Sequence, residues 1–106
     1  FYTKVIRVTD AILGCEISIP CLDGPQTLKL PAGTQSGTVQ KLRGKGLPSV
    51  NGYGKGDLYV KILIWVPHKL SKSEKDAFEA MRGSDSFKPA PTRDDMMIFK
   101  KESEFF

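Results

Sequence analysis

The alternation of apolar and polar residues divides the chain into a strand-forming part and a helix-forming part. Short runs that alternate, or that are almost continuously apolar, predict five strands before residue 67. These runs are Tyr2–Val8, Cys15–Cys21, Thr27–Pro31, Val39–Arg43 and Leu58–Val66. After residue 67, Ala77, Phe78 and Met81 recur at helical spacing. The pattern therefore predicts a β domain over residues 1–67 and a helical segment over residues 68–106.

Turn-forming residues indicate how the first strands are joined. Thr9 and Asp10 can cap a single helical turn over residues 11–13, which Gly14 would close. Asp23-Gly24 is typical of a tight hairpin between the second and third strands. The expected fold is mainly β: a small two-sheet β-sandwich with a short helical turn near residue 10.

The longest apolar run, Leu58–Val66, is expected to be a central strand that is buried on both faces. The preceding segment, Leu47–Gly56, contains Pro, Asn, Ser and three Gly, and we expect a mobile loop there.

Residues 68–106 carry the signals of a capped helix followed by a tail. Ser71-Lys-Ser-Glu74 is a capping-box pattern, and Gly83 should stop the helix. Lys88–Pro91 predicts a stiff spacer. A second short helix can form after Arg93, but alone it would be marginal in water.

Composition argues against catalysis, zinc binding and membrane insertion. With a single histidine, His68, the chain has no nucleophile and base at a plausible spacing. Cys15 and Cys21 would lie roughly 20 Å apart in one extended strand, too far for a disulfide. Two cysteines and one histidine at these spacings make no zinc site. The longest apolar run is too short to cross a bilayer.

An ordered series of motifs resembles the second C-terminal domain of DnaJ-type co-chaperones, in particular the bacterial ones. Each motif is common alone, but their order and spacing from about Tyr2 to Arg82 are specific. The series is Asp10-Ala-Ile-Leu-Gly14, Ile19-Pro-Cys-Leu-Asp-Gly24, Leu30-Pro31, Gly37, Leu42-Arg-Gly-Lys-Gly46-Leu-Pro48 and Lys55-Gly-Asp-Leu-Tyr-Val60.

The resemblance implies a co-chaperone fragment that binds unfolded client polypeptides, forms a homodimer and cooperates in the full protein with a DnaK-type ATPase chaperone in the cytoplasm. The absence of an initiator Met at Phe1 also suggests a fragment. The sequence contains no J-domain HPD tripeptide and no CxxCxGxG zinc repeat. We therefore expect this piece to have no enzymatic activity, no cofactor, and no nucleic-acid or membrane partner.

Two groups of residues are candidates for these functions. Client binding by β-augmentation is predicted for Tyr2, Val5, Ile17, Ile19, Leu28 and Leu30. An alternative for the last four is that they line the core. The dimer interface is predicted at Leu70, Phe78, Met81, Phe87, Met96, Met97, Ile98, Phe99, Phe105 and Phe106. The alternative for this segment is a disordered, trailing tail.

A basic β-barrel that binds nucleic acid is the main rival. The isoelectric point of about 9.1 favours it. So do four cations and two tyrosines around a glycine-rich segment: Lys41, Arg43, Lys45, Lys55, Tyr53 and Tyr59. Against it, the cations are scattered, and the motif series fits the co-chaperone pattern.

Overall fold

The structure, a computed structural model, describes residues 2–44 and 56–103, with side chains up to residue 101. The predicted mobile loop falls mostly outside this range, as do Phe105 and Phe106. The described residues form two compact units, Phe1–Trp65 and Val66–Phe106.

The first unit is a two-sheet β structure, which confirms the predicted fold class. Its elements are β1 (Tyr2–Arg7), α1 (Val8–Leu13), β2 (Cys15–Ile19), β3 (Gln26–Leu30), β4 (Val39–Leu42) and β5 (Leu58–Trp65). One sheet has the order β1-β5-β4, with β1 parallel and β4 antiparallel to β5, and the other is the antiparallel pair β2-β3.

The core is formed by inward-facing side chains from both sheets and from α1. Because side chains alternate along a strand, the core residues of a strand are separated by an outward-facing residue. The buried apolar residues are Ile6, Ala11, Ile17, Ile19, Leu30, Val60 and Ile62. Partly buried Tyr2, Leu28, Leu58 and Ile64 extend this cluster.

The first helix is longer than the predicted turn. It begins at Val8, directly after β1, so Asp10 lies inside its first turn and the prediction that Asp10 caps it is wrong. The exit was predicted correctly: the Gly14 N–H donates to the Asp10 carbonyl at 2.8 Å, and Gly14 has a φ of 87°. Backbone amides of Gly33 and Thr34 donate to the Ala11 carbonyl, which ties the segment after β3 to the helix.

The hairpin between β2 and β3 forms as predicted, but its turn differs from the expected tight turn. Ile17 lies opposite Leu28, and Cys15 opposite Leu30. However, β2 ends at Ile19, and the Gly24 N–H donates to the Cys21 carbonyl at 3.0 Å. Among the described residues only glycines have positive φ, so a tight turn with both Asp23 and Gly24 at positive φ is wrong. The connection is a wider loop closed by a β-turn.

The longest strand, β5, is central in its sheet, as predicted, but it is buried on one face. Val60 and Ile62 are fully buried, whereas Tyr59 and Trp65 on the opposite face are exposed. The prediction of burial on both faces is therefore wrong, since the other outward residues, Lys61 and Leu63, are only half-buried.

The second unit consists of α2 (Lys72–Arg82), a 3-10 turn (Asp85–Phe87) and α3 (Arg93–Ser103). The predicted capping box is confirmed: the Ser71 hydroxyl accepts from the Glu74 N–H, and Glu74 accepts from the Ser71 N–H. Thr92 and Asp95 make the same reciprocal bonds before α3. No described residue of this unit is buried.

Candidate functional site

The structure separates the six predicted client-binding residues into core and surface positions. Ile19 and Leu30 are 0% and 1% exposed, and Ile17 is also buried. Tyr2 and Leu28 are half-buried against the same core. Only Val5, which is 56% exposed, points away from the core. These positions favour the core alternative for Ile17, Ile19 and Leu30.

Val5 lies on the outer face of the three-stranded sheet, which is the face directed away from the core. The register places Val5 beside Leu63, Arg7 beside Trp65, and Lys61 between Thr3 and Val39. On this outer face Val5, Val39, Tyr59 and Trp65 are exposed. They form an apolar surface on a rigid, paired backbone.

The charges on the outer face have one sign. The outward positions of β1, β4 and β5 include Arg7, Lys41 and Lys61 and no carboxylate. The nearest described acids in sequence are Asp10, three residues after Arg7, and Asp57, just before β5. A ligand for this surface should therefore combine apolar groups with negative charge.

Asp57 organises the edge of this sheet where β4 ends. Its carboxylate accepts from the Gly44 N–H at 3.0 Å and forms an ion pair with the Lys41 Nζ at 3.2 Å. The pKa of the Asp57 carboxyl is lowered chiefly by the Gly44 hydrogen bond and then by Lys41. The Asp57 hydrogen bond in turn raises the pKa of Lys41. Lys41, one of the cations that favoured nucleic acid, is thus held by a carboxylate.

The second unit displays most of its large apolar side chains to solvent. Seven of the predicted dimer residues are between 37% and 55% exposed: Leu70, Phe78, Met81, Phe87, Met96, Met97 and Phe99. Ile98 is half-buried. An open depression of about 320 Å³ is lined by Phe78, Met81, Arg82 and Phe87. A second, of about 530 Å³, is lined by Arg93, Met96, Met97, Phe99 and Lys100.

The described residues form no cluster of metal ligands, and their two cysteines are not joined in a disulfide. Among residues 2–44 and 56–103, no group of three or more His, Cys, Asp or Glu side chains could hold a metal ion. Cys15 and Cys21 are free thiols, and burial, with a smaller contribution from Asp10, raises the pKa of Cys15. A raised pKa disfavours the thiolate, which is the nucleophilic and metal-binding form. Within the same ranges, no helix could span a membrane.

Sequence reasoning missed the outer face because it treated β5 as uniformly apolar. The signal was present in Lys61, a charged residue in the middle of the strand. Lys61 shares its face with Tyr59, Leu63 and Trp65. A cation at that position indicates that this face is not covered by a second apolar layer.

Comparison with known proteins gives a consistent assignment. The family model of the DnaJ C terminal domain matches residues 1–67. The chain is 49% identical over 105 residues to the chaperone protein DnaJ of Bacteroides thetaiotaomicron, covering 99% of the chain and 26% of that protein. The DnaJ chaperone of Bacteroides fragilis is 46% identical over 105 residues, with the same coverage of both chains. That of Porphyromonas gingivalis is 44% identical over 88 residues, covering 83% of the chain and 23% of that protein.

The chain thus spans about a quarter of the length of the curated relatives it matches. The family model covers the unit that contains both sheets. The relatives that cover 99% of the chain extend the similarity over α2 and α3 of the second unit. The chain therefore belongs to the DnaJ C-terminal domain family and corresponds to a C-terminal fragment of a DnaJ-type co-chaperone.

Proposed function

We propose that this chain is a client-binding and dimerisation part of a DnaJ-type co-chaperone, with homodimerisation through the Val66–Phe106 unit. In the full-length protein it would cooperate with a DnaK-type ATPase chaperone in the cytoplasm, during protein folding and stress. It would have no enzymatic activity, and no cofactor, nucleic-acid or membrane partner.

One observation carries the dimerisation proposal: the Val66–Phe106 unit has no buried residue among those described, although its helices display aromatic, thioether and aliphatic side chains. Covering one such side chain fully is worth about 1.5–3 kcal/mol. Two helices of 11 residues each are marginal without such burial. A second copy of the same unit would supply the missing apolar surface.

The client-binding proposal rests on the family and on the outer face of the sheet. A paired sheet with exposed apolar side chains and two edge strands suits an extended polypeptide, which can add its own backbone to an edge. The ion pair between Lys41 and Asp57 argues against a nucleic-acid surface there, because a phosphate would have to compete with the carboxylate.

Light scattering on the chain and on a version ending at Pro89 tests the dimerisation proposal. The shorter version lacks α3, including Met96, Met97 and Phe99. We expect the mass of a dimer for the full chain and of a monomer for the shorter one. Equal masses would show that the tail does not dimerise the protein.

A matched pair of substitutions on α2 separates loss of an interface from loss of the helix. Met81→Asp places a carboxylate in the apolar depression, whereas Ala80→Asp places the same carboxylate at the neighbouring exposed position. We expect Met81→Asp to weaken the dimer at least tenfold and Ala80→Asp to change it little, at equal helicity. If both substitutions have the same effect, this depression is not part of the interface.

A further inference from the structure

The first strand combines an outward-facing apolar residue with an outward-facing cation at strand spacing. Along β1, Thr3, Val5 and Arg7 share the outer face and all three are exposed. Among the described strands, β1 pairs with β5 alone and so forms one edge of its sheet. An edge strand carries a row of backbone groups that can pair with another chain.

We propose that β1 selects client segments in which an acidic residue lies two positions from an apolar residue, and that such a segment adds to the sheet alongside β1. This inference rests on the client-binding function proposed above. It names the chemical class of the client and the two side chains, Val5 and Arg7, that recognise it.

The spacing follows from strand geometry. Residues opposite one another in neighbouring strands lie on the same face, and side chains two positions apart on one strand share that face. A segment paired with β1 therefore places one side chain beside Val5 and another, two positions away, beside Arg7. The separation of two positions holds for both directions of addition, because it depends on the pleat. The order differs: the acidic residue precedes the apolar one in antiparallel addition and follows it in parallel addition.

The surroundings of both positions fit that chemistry. Val5 is beside Leu63, which extends the apolar contact into the sheet, and Arg7 is beside Trp65, which is 53% exposed. The guanidinium of arginine binds carboxylates through a planar fork of donors. No outward position of the three strands carries an acidic side chain that would repel the ligand.

The other edge of the sheet is less suited to the same role. β4 has four residues against six in β1. Its outward cation, Lys41, is ion-paired with Asp57 at 3.2 Å. A client carboxylate beside Lys41 would meet the charge of Asp57, whereas no ion pair of this kind is seen at Arg7 within the described residues.

A polypeptide explains this face better than a single-stranded nucleic acid. The aliphatic side chains of Val5, Leu63 and Val39 surround Lys61 in the middle of the face, whereas nucleobases bind chiefly by stacking on aromatic rings. The two outward aromatic residues, Tyr59 and Trp65, are six positions apart on one strand, which is roughly 20 Å. Neighbouring bases could not stack on both.

Fluorescence anisotropy with three labelled octapeptides on the 106-residue chain tests the proposal. The first peptide has Leu at its fifth position and Glu at its third and seventh, in an otherwise Ser/Thr sequence, so that one Glu lies beside Arg7 in either direction of addition. The second has Lys in place of both Glu residues, and the third has them moved to the fourth and sixth positions, which puts them on the opposite face. We expect the first peptide to bind about two- to fivefold more tightly than the other two, as for a favourable cross-strand pair.

Charge reversal identifies the residue responsible. Arg7→Glu should reverse the order of the first two peptides, whereas Lys29→Glu, the same reversal on an exposed position of β3, should leave the order unchanged. Unaltered amide spectra of the remaining residues would show that both variants keep the fold. A reversed order with Arg7→Glu alone supports the proposal.

Results that contradict the sequence preference differ from results that contradict client binding itself. If all three peptides bind equally to the chain and to Arg7→Glu, the sequence preference is wrong and client binding stands. If no peptide binds, the preference and the client-binding function both fail. If a single-stranded oligonucleotide displaces the peptides at lower concentration and with steep salt dependence, the face is a nucleic-acid surface and the proposal is overturned.

Discussion

Gly14 and Gly33 both have a positive φ, but the space around their Cα atoms differs. Gly14 has φ 87° and ψ 154°, a region that is essentially closed to other residues. A Cβ there would lie 3.0 Å from the Ala32 nitrogen and 3.1 Å from the Leu30 oxygen. Gly33 has φ +83°, but a Cβ there would have no heavy atom within 4 Å. Gly14 is therefore constrained by backbone angle and by packing, and Gly33 by backbone angle alone.

This difference predicts unequal costs for two otherwise identical substitutions. Gly33→Ala should lower the free energy of unfolding by about 1–2 kcal/mol, the cost of a left-handed backbone with a Cβ. Gly14→Ala should cost about 3 kcal/mol or more, because the contacting atoms are backbone and cannot move aside. Urea unfolding followed by tryptophan fluorescence of Trp65 measures both. Equal costs would mean that the packing around Gly14 relaxes freely.

At the scale of elements, α2 is specified almost entirely by local signals. Ser71 and Glu74 bond to each other's backbone amides, and Gly83 follows the last residue of the helix. The pKa of Glu74 is lowered mainly because its carboxylate accepts from the Ser71 N–H. A group whose pKa is lowered on folding stabilises the folded state above its ordinary pKa, here 4.5. That stabilisation is lost as the pH falls through the lowered value.

We therefore expect α2 to fray in acid, because its capping box depends on the ionised Glu74 carboxylate. Cα chemical shifts of Lys75 to Met81 should move toward coil values as the pH falls below 4.5, the ordinary pKa of this carboxyl, and through its lowered value. Glu74→Gln should abolish this acid step, because the amide can accept from the Ser71 N–H without titrating, and Ser71→Ala should destabilise the helix by about 1 kcal/mol at pH 7. Ser84→Ala provides the control, since Ser84 precedes the 3-10 turn without a side-chain capping bond. An unchanged acid step in Glu74→Gln would contradict the capping explanation.

At the scale of the whole molecule, the two units differ in how far their apolar side chains are buried. The Phe1–Trp65 unit buries a core from two sheets, whereas the Val66–Phe106 unit has no buried residue among those described. Since helices of 11 residues are marginal when isolated, the stability of α2 and α3 should depend on association.

Dilution should therefore reduce the helical signal of the chain. As the concentration falls below the dissociation constant of the dimer, the ellipticity per residue at 222 nm should decrease, together with the mass measured by sedimentation. The amide shifts of Val60 and Ile62 in β5 should stay constant and serve as an internal control. If the mass halves while the ellipticity remains unchanged, association does not stabilise the helices.

Much of the fold could be predicted because its signals are short-range. The bounds of α2, the alternation along β2 and β3 and the helix exit at Gly14 follow from capping, strand period and backbone angle. The candidate site was harder to predict. Of the six residues assigned to clients, only Val5 is clearly exposed, and the neighbouring Arg7 and Trp65 were not recognised as a surface.

The sequence by itself determined which segments become strands and helices, and which residues share a face, because these depend on a local period and on local hydrogen bonds. It did not determine which face of β5 is covered or whether Ile19 meets solvent. Alternation distinguishes two faces without saying what packs on each. Only the tertiary structure decided that Val60 and Ile62 meet the second sheet while Tyr59 and Trp65 remain exposed, since burial depends on elements that are distant in the sequence.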